Sequence, residues 1–366
     1  LEQNATLGIS HENGITLAPV DDGNVRTDYR FYNTGAIYEY NGENEQTLGN
    51  GLPSTIKALV VTKPNADTLI LTQNISITDS LIINNGTLDM GASTINGNSS
   101  GRTFKMLGGE FIIRSAFPNN YTAPSLSDGR ITFNGNGSVT IPSSGSSPGI
   151  FQYNDLKITG SNRSGNVTFQ SLGEIRIKNT LDISELTFAN NSFKFFTNGS
   201  TVRFNKSGGV QDIPCRPAAP ADSICFLEYY NLTLDSTGTK RLSASGTPVF
   251  KVTNNLRIDN NASFTAFNAD LAANYNLEIH GNWTNQIGTF NPGSGTVIFH
   301  SPVATVSTFI NSRDTTDNPF NNLIFTGDGI VTANENLKVT GNLTINTGTT
   351  LNLTNKFISI YGNWQN

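Results

Sequence analysis

The sequence predicts an all-β chain, a right-handed parallel β-helix (β-solenoid) of four degenerate units. Three observations carry that prediction. Apolar residues alternate with polar ones in short runs, as in Leu337-Lys338-Val339 and Ile358-Ser359-Ile360. That period of two belongs to strands with one dry face and one wet face. Each run is cut by a corner bearing Gly or Asn, at Gly341-Asn342, Thr347-Gly348, Thr354-Asn355 and Gly362-Asn363. The pattern also recurs. Residues 74–83 (NISITDSLII) lie position for position on residues 336–345 (NLKVTGNLTI), and shorter copies run through Glu174-Ile175-Arg176-Ile177 and Val249-Phe250-Lys251-Val252. A fixed order of strand pairs repeated along a chain is the mark of a solenoid.

Taken in order, residues 1–34 read as an N-terminal cap or the end of a preceding repeat, with strand character at Ala5-Thr6-Leu7-Gly8-Ile9 and Gly14-Ile15-Thr16-Leu17. Four units follow, at 35–128, 129–198, 199–294 and 295–366. Each opens with Gly and an aromatic-bearing strand: Gly35 to Tyr40, Gly129 to Phe133, Gly199 to Phe204, and Gly295 to Phe299. A second landmark strand follows in each, beginning at Ala58, Asp155, Asn231 and Asn322. Insertions expected at 115–128, 214–223 and 311–318 make the units unequal, and a solenoid tolerates these at its corners. Tyr38, Phe133, Phe204 and Phe299 are expected to stack inward, whereas Tyr40 is read as a candidate outward ring for sugar stacking. Trp283 and Trp364, each after a Gly-Asn corner, are assigned to corner packing. The competing architecture is a row of tandem β-sandwich domains. It is disfavoured by strands too short for two-residue hairpins and by the lack of a recurrent core Trp.

Composition narrows the function. Charged residues make up 14% and hydrophobic ones 36%, with 35 Gly. No apolar run approaches the roughly 18 residues of a membrane span, so none is expected. A net charge of −5, with Lys and Arg scattered singly, leaves no electrostatic footprint for nucleic acid. Cys215 and Cys225 bracket a Pro-rich loop. They read as a disulfide worth about 2–3 kcal/mol in an oxidising compartment, with two unpaired thiols as the alternative. No metal or cofactor is expected, since no further ligand lies near either Cys. The chain starts Leu1-Glu2-Gln3-Asn4, without signal-peptide character, and stops after a corner that elsewhere leads onward. A fragment of a longer protein is therefore expected.

Residues 35–98, from GAIYEYNGENEQTLG through NISITDSLIINNGTLDMGASTINGN, resemble the degenerate repeats of very large secreted surface proteins of the Bacteroidetes. These include gliding-motility adhesins exported by the type IX secretion system. The run from Gly281 to Phe299 is similar to the same family, and the matching segments cover most of residues 35–366. The resemblance implies an extracellular, cell-surface, fibrous and non-enzymatic role. The implied partners are surface polysaccharide or other cells, with end-to-end self-association into a filament as an alternative. It also implies O-glycosylation at D-S/T motifs, here Thr68, Ser80, Ser223, Ser236 and Thr315.

Enzymes also live on β-helices, and they need clustered carboxylates with a nearby base. The acidic candidates are Asp21 with Asp22, Glu43 with Glu45, and Asp314 with Asp317, all in loops where Asp commonly forms turns. His280 and His300 each end a strand and read as solvated imidazoles. No nucleophile triad or phosphate loop is present. The expected protein is a structural or adhesive rod, and a carbohydrate-active β-helix enzyme is its rival.

Overall fold

The computed structural model describes the chain except residues 18–22, 28, 98–101, 120, 122–124, 145–151, 172, 189–194, 198, 215–226, 244–248, 269, 271–272, 303–306 and 313–317. It is all-β, with a single short 3-10 turn at Pro64–Ala66 among the described residues. The parallel sheets are wound as a β-solenoid of about 11 turns. Two compact units are distinguishable, Leu1–Gly165 with Glu185–Ala189, and Asn166–Ser184 with Asn190–Asn366.

In the first unit a coil has three sides. Residues of the strand Ile75–Asn85 supply two of them, because Ile75 pairs with Ile95 while Leu81 pairs with Phe104. The third side is Thr87–Asp89, between Thr68–Ile70 and Glu110–Ile113. Consecutive coils repeat as closely as Thr68 with Thr87 and as widely as Thr6 with Ile37. The inward columns are apolar. Tyr38, Leu59, Leu81 and Phe104 follow one another in register, as do Leu69, Leu88, Phe111, Ile131 and Leu156. All of these are buried.

The second unit repeats the plan with its corners cut sharper. Leu337–Val339, Leu343–Ile345 and Thr350–Asn352 form the three sides of one coil, and Gly341-Asn342 separates the first two. Its columns run Ile175, Val202, Leu232, Leu256, Trp283, Ile310 and Ala333 on one face. On another they run Phe250, Leu277, Val297, Leu323 and Leu343. The one antiparallel pairing among the described strands is Phe267–Asn268 with Ala273–Asn274. Sandwich domains, built from antiparallel hairpins, are thereby excluded.

The landmarks found in the sequence acquire a spatial meaning. Each opening strand pairs directly with the second landmark of the same unit: Ile37 with Ala58, Arg130 with Asp155, Thr201 with Asn231, and Thr296 with Asn322. They are neighbouring coils in strict register, so the elementary repeat is one coil, about a third or a quarter of the spacing between openings. The opening Gly129 has φ 82°, and a Cβ there would strike the carbonyl oxygens of Gly108 and Gly109. Only Gly adopts such a corner without strain.

Two expectations are corrected. Tyr40 is not an outward ring. It is two residues from Tyr38 on the same strand, so both face inward, both are 0% exposed, and the Tyr40 hydroxyl donates to the Leu48 carbonyl at 2.7 Å. Residues 115–128 are not simply an expelled loop either. Phe117 packs 5.8 Å from Phe104, 6.3 Å from Phe111 and 6.4 Å from Phe133, and Tyr121 is buried beside Phe104. The aromatic side chains of this segment have more to gain inside than in water.

Candidate functional site

The predicted site residues scatter. Cys215, Cys225, Ser223, Thr315, Asp21, Asp22, Asp314 and Asp317 lie outside the described residues. Glu43 and Glu45 are exposed. Thr68 is half-buried at the start of Thr68–Ile70. Ser80 is 9% exposed, with its hydroxyl donating to Asp79 Oδ2 at 3.3 Å. Ser236 is half-buried at a corner with φ 66°. Among the described residues no three His, Cys, Asp or Glu side chains are grouped to hold a metal ion. No helix there is long and apolar enough to cross a membrane.

What the coils do concentrate is polar side chains at corners. Gln46, fully buried, donates from Nε2 to the carbonyls of Ile9 (3.1 Å) and His11 (2.8 Å), and its Oε1 accepts from Gly42 N–H (3.1 Å). Lys63 on the next coil places Nζ 2.7 Å from the Gly42 carbonyl and 2.8 Å from Gln46 Oε1. The second unit builds the same device. Gln211 donates to the carbonyls of Ile177 (2.8 Å) and Asn179 (2.9 Å) and accepts from Lys206 N–H (3.0 Å), while Lys240 Nζ caps the Lys206 carbonyl at 2.6 Å. These side chains bind main-chain groups at the corner. The Ile9 and Ile177 carbonyls keep a ladder amide as well, whereas Gly42 and Lys206 give both their N–H and their carbonyl to these side chains, where an unmet buried group is costly. Burial pushes both lysines down, Lys240 to about 8, with Asp67 beside Lys63 and Asp235 beside Lys240 pulling the other way.

Solvent-side corners use Asn instead. Asn231 Oδ1 accepts from Asn255 N–H at 3.2 Å, and Asn255 Oδ1 accepts from Asn282 N–H at 2.9 Å. Likewise Asn322 Oδ1 receives Asn342 N–H at 3.0 Å, and Asn342 Oδ1 receives Asn363 N–H at 2.9 Å.

The outer face carries charge that is largely consumed internally. Arg203 bridges Glu174 at 2.9 Å and Asp235 at 2.7 Å on the coils before and after it, and Arg176 binds the other oxygen of Glu174. Burial alone would raise Glu174, but hydrogen bonds from Arg203 and Arg176 hold it below the ordinary carboxylate value. Arg241 joins Asp212 (2.8 Å) to Asp270 (2.5 Å).

No protein-family model, curated protein or solved structure matches the chain.

His280 and His300 prove to be neighbours. They occupy equivalent positions on adjacent coils, next to the pair Ile279–Phe299, and their rings lie 4.6 Å apart. His280 Nε2 is hydrogen-bonded to Glu278 Oε1, and Lys251 sits 3.8 Å from the same oxygen. Burial and the charge of His280 push His300 below the usual histidine value. Both imidazoles are partly buried, not the separately solvated groups that their strand-end positions suggest. Their 20-residue separation in sequence, one coil, is the signal that would have revealed the pair.

Proposed function

We propose that this chain is a structural and adhesive segment of an extracellular bacterial surface protein, non-catalytic, which presents its corners and outer faces for attachment. The observation that carries this reading is the register. Inward columns persist from coil to coil in each unit although coil length varies, as between Thr68 with Thr87 and Thr201 with Asn231. An array of this kind spaces surfaces and displays loops without needing a central pocket. Several outward Arg, Asp and Glu are spent on one another, as in Arg203 with Glu174 and Asp235, and so are not free to bind a charged ligand. The sequence resemblance to type IX-exported Bacteroidetes adhesins supports the same reading and adds polysaccharide or other cells as partners. Thr68 and Ser236, half-buried, are better placed for glycan attachment than Ser80.

The test is a combined one. Antibodies raised against the purified chain are applied to intact cells of the source organism, and beads coated with the chain are scored for attachment to surface polysaccharide. Surface labelling and saturable attachment are expected. Depolymerisation of the polysaccharide by the purified chain would overturn the structural reading.

Self-association is a second reading, favoured by one observation. Trp364 takes the register position of the buried Leu343, yet it is 63% exposed, beside Tyr361 at 70%. Light scattering of the purified chain over a concentration series separates a stable monomer from a growing assembly.

A further inference from the structure

Among the described residues of the first unit, Arg163 is a buried cation on which burial alone bears. Arg163, at the end of Gln152–Arg163, is 1% exposed. Its Nη1 donates to the Thr159 carbonyl at 3.0 Å and its Nη2 to the Gly137 carbonyl at 2.6 Å, while Nε–H is buried with no acceptor. Lys63 has Asp67 as a charged neighbour, and Lys240 has Asp235. Among the described residues no acidic group acts on Arg163; burial alone bears on its charge. Removing a guanidinium from water without a counter-charge is expensive, and carbonyl dipoles repay only part of the cost.

Arg163 lines a small cleft that also touches Arg114, Asn134 and Ser138, with room for about one water-sized sphere. Arg114 is already paired with Asp89, Nε to Oδ1 at 3.0 Å and Nη2 to Oδ2 at 2.5 Å. The charges at the cleft are therefore two guanidinium groups and one carboxylate, one positive charge in excess. Gly137 and Ser138 at its edge are exposed, which gives access from solvent. An excess buried cation, an N–H donor without an acceptor, polar groups on the wall and a mouth open to solvent favour a small anion over a neutral guest.

We propose that the cleft between Arg114 and Arg163 binds a small monovalent inorganic anion, chloride in size, which supplies the counter-charge that Arg163 lacks. The site locks the coil containing Gly137 to the one containing Thr159 and makes the first unit more stable in chloride.

The experiment uses the full chain. Crystals are soaked in sodium bromide, and an anomalous difference peak is sought in the cleft within hydrogen-bonding distance of Arg163. In parallel, thermal unfolding is followed at constant ionic strength while gluconate is exchanged for chloride. A saturating rise in the midpoint of about 2–4 °C is expected once chloride reaches several times its dissociation constant. Ser138→Asp, at an exposed position, places a carboxylate at the mouth and should abolish the chloride response while the chain stays folded. Arg163→Gln should abolish it as well. A bromide peak together with a response lost in Ser138→Asp supports the site. Water alone in the cleft, or a chloride response unchanged in Ser138→Asp, overturns it.

Discussion

Replacing Gln211 with Leu tests whether the coils are held by their apolar columns alone or also by the corner amides. Gln211 is 2% exposed and reaches across to the carbonyls of Ile177 and Asn179 on an earlier coil. Leu has a similar volume and no donor. The change leaves Lys206 N–H without its acceptor, an orphaned amide costing about 1–3 kcal/mol. It also removes two carbonyl bonds, worth about 0.5–1.5 kcal/mol each. Ile177 keeps one donor, the amide of Asn205 at 3.0 Å, which sets that loss at the low end. The extra apolar burial of Leu returns about 1 kcal/mol. The net loss is about 1–4 kcal/mol, or a fall in melting midpoint of about 2–16 °C for a unit of this size. Calorimetry reads the midpoint, and hydrogen exchange at the Lys206 amide reads the local loss, which matters because arrays open in parts. Gln211→Glu keeps the acceptor for Lys206 but turns a carboxylate toward two carbonyls, so it should be at least as damaging. If Gln211→Leu melts within about 1 °C of the parent and Lys206 stays protected, the corner amides are dispensable and the reasoning is wrong.

Other expectations follow from the same geometry. Lys240 is held at about 8 in the folded chain, below its value of about 10.4 when unfolded. The unfolded chain therefore binds the proton more tightly, so stability should rise between pH 8 and 10.5, and Lys240→Met should flatten that rise in denaturant titrations. His300 is likewise held below the ordinary histidine value. Its contribution should fall away as pH drops below about 6.5, and His300→Gln should remove that part of the acid dependence. Trp283 lies 4.9 Å from Phe290 and 5.4 Å from Phe320; Trp283→Ala should cost about 3–5 kcal/mol, measured by chemical unfolding. Gly109 has φ 72° and faces the Gly86 carbonyl, whereas Gly137 has nothing within 4 Å of a built Cβ. Gly109→Ala should lower the melting midpoint clearly, and Gly137→Ala should leave it within about 1–2 °C.

The parallel stacked architecture was legible because inward columns impose period two in every strand, and because corners demand Gly or Asn at fixed places. The match of 74–83 to 336–345 reflects a like order of strands in each unit: Ile75 and Leu81 head two successive sides of a coil in the first, and Leu337 and Leu343 do so in the second. The length of one coil was less legible. Loops of unequal size hid it, and the most similar stretches were several coils apart. Tyr40 was misassigned because its hydroxyl makes it look amphipathic, although its spacing from Tyr38 fixes its face. The corner amides were invisible for another reason. Gln46 and Gln211 are ordinary in sequence, and their importance depends on which main-chain groups the bend leaves exposed to them. The histidine pair needed the coil length before its spacing meant anything.

The asparagine ladder gives the stack a direction. In each step the side-chain oxygen belongs to the earlier coil and the amide to the later one, as from Asn322 to Asn342 to Asn363. An unfolded segment that adds to a finished coil from the carboxyl side therefore meets acceptors already oriented for its amides, so the stack is chemically suited to grow coil by coil from its amino end.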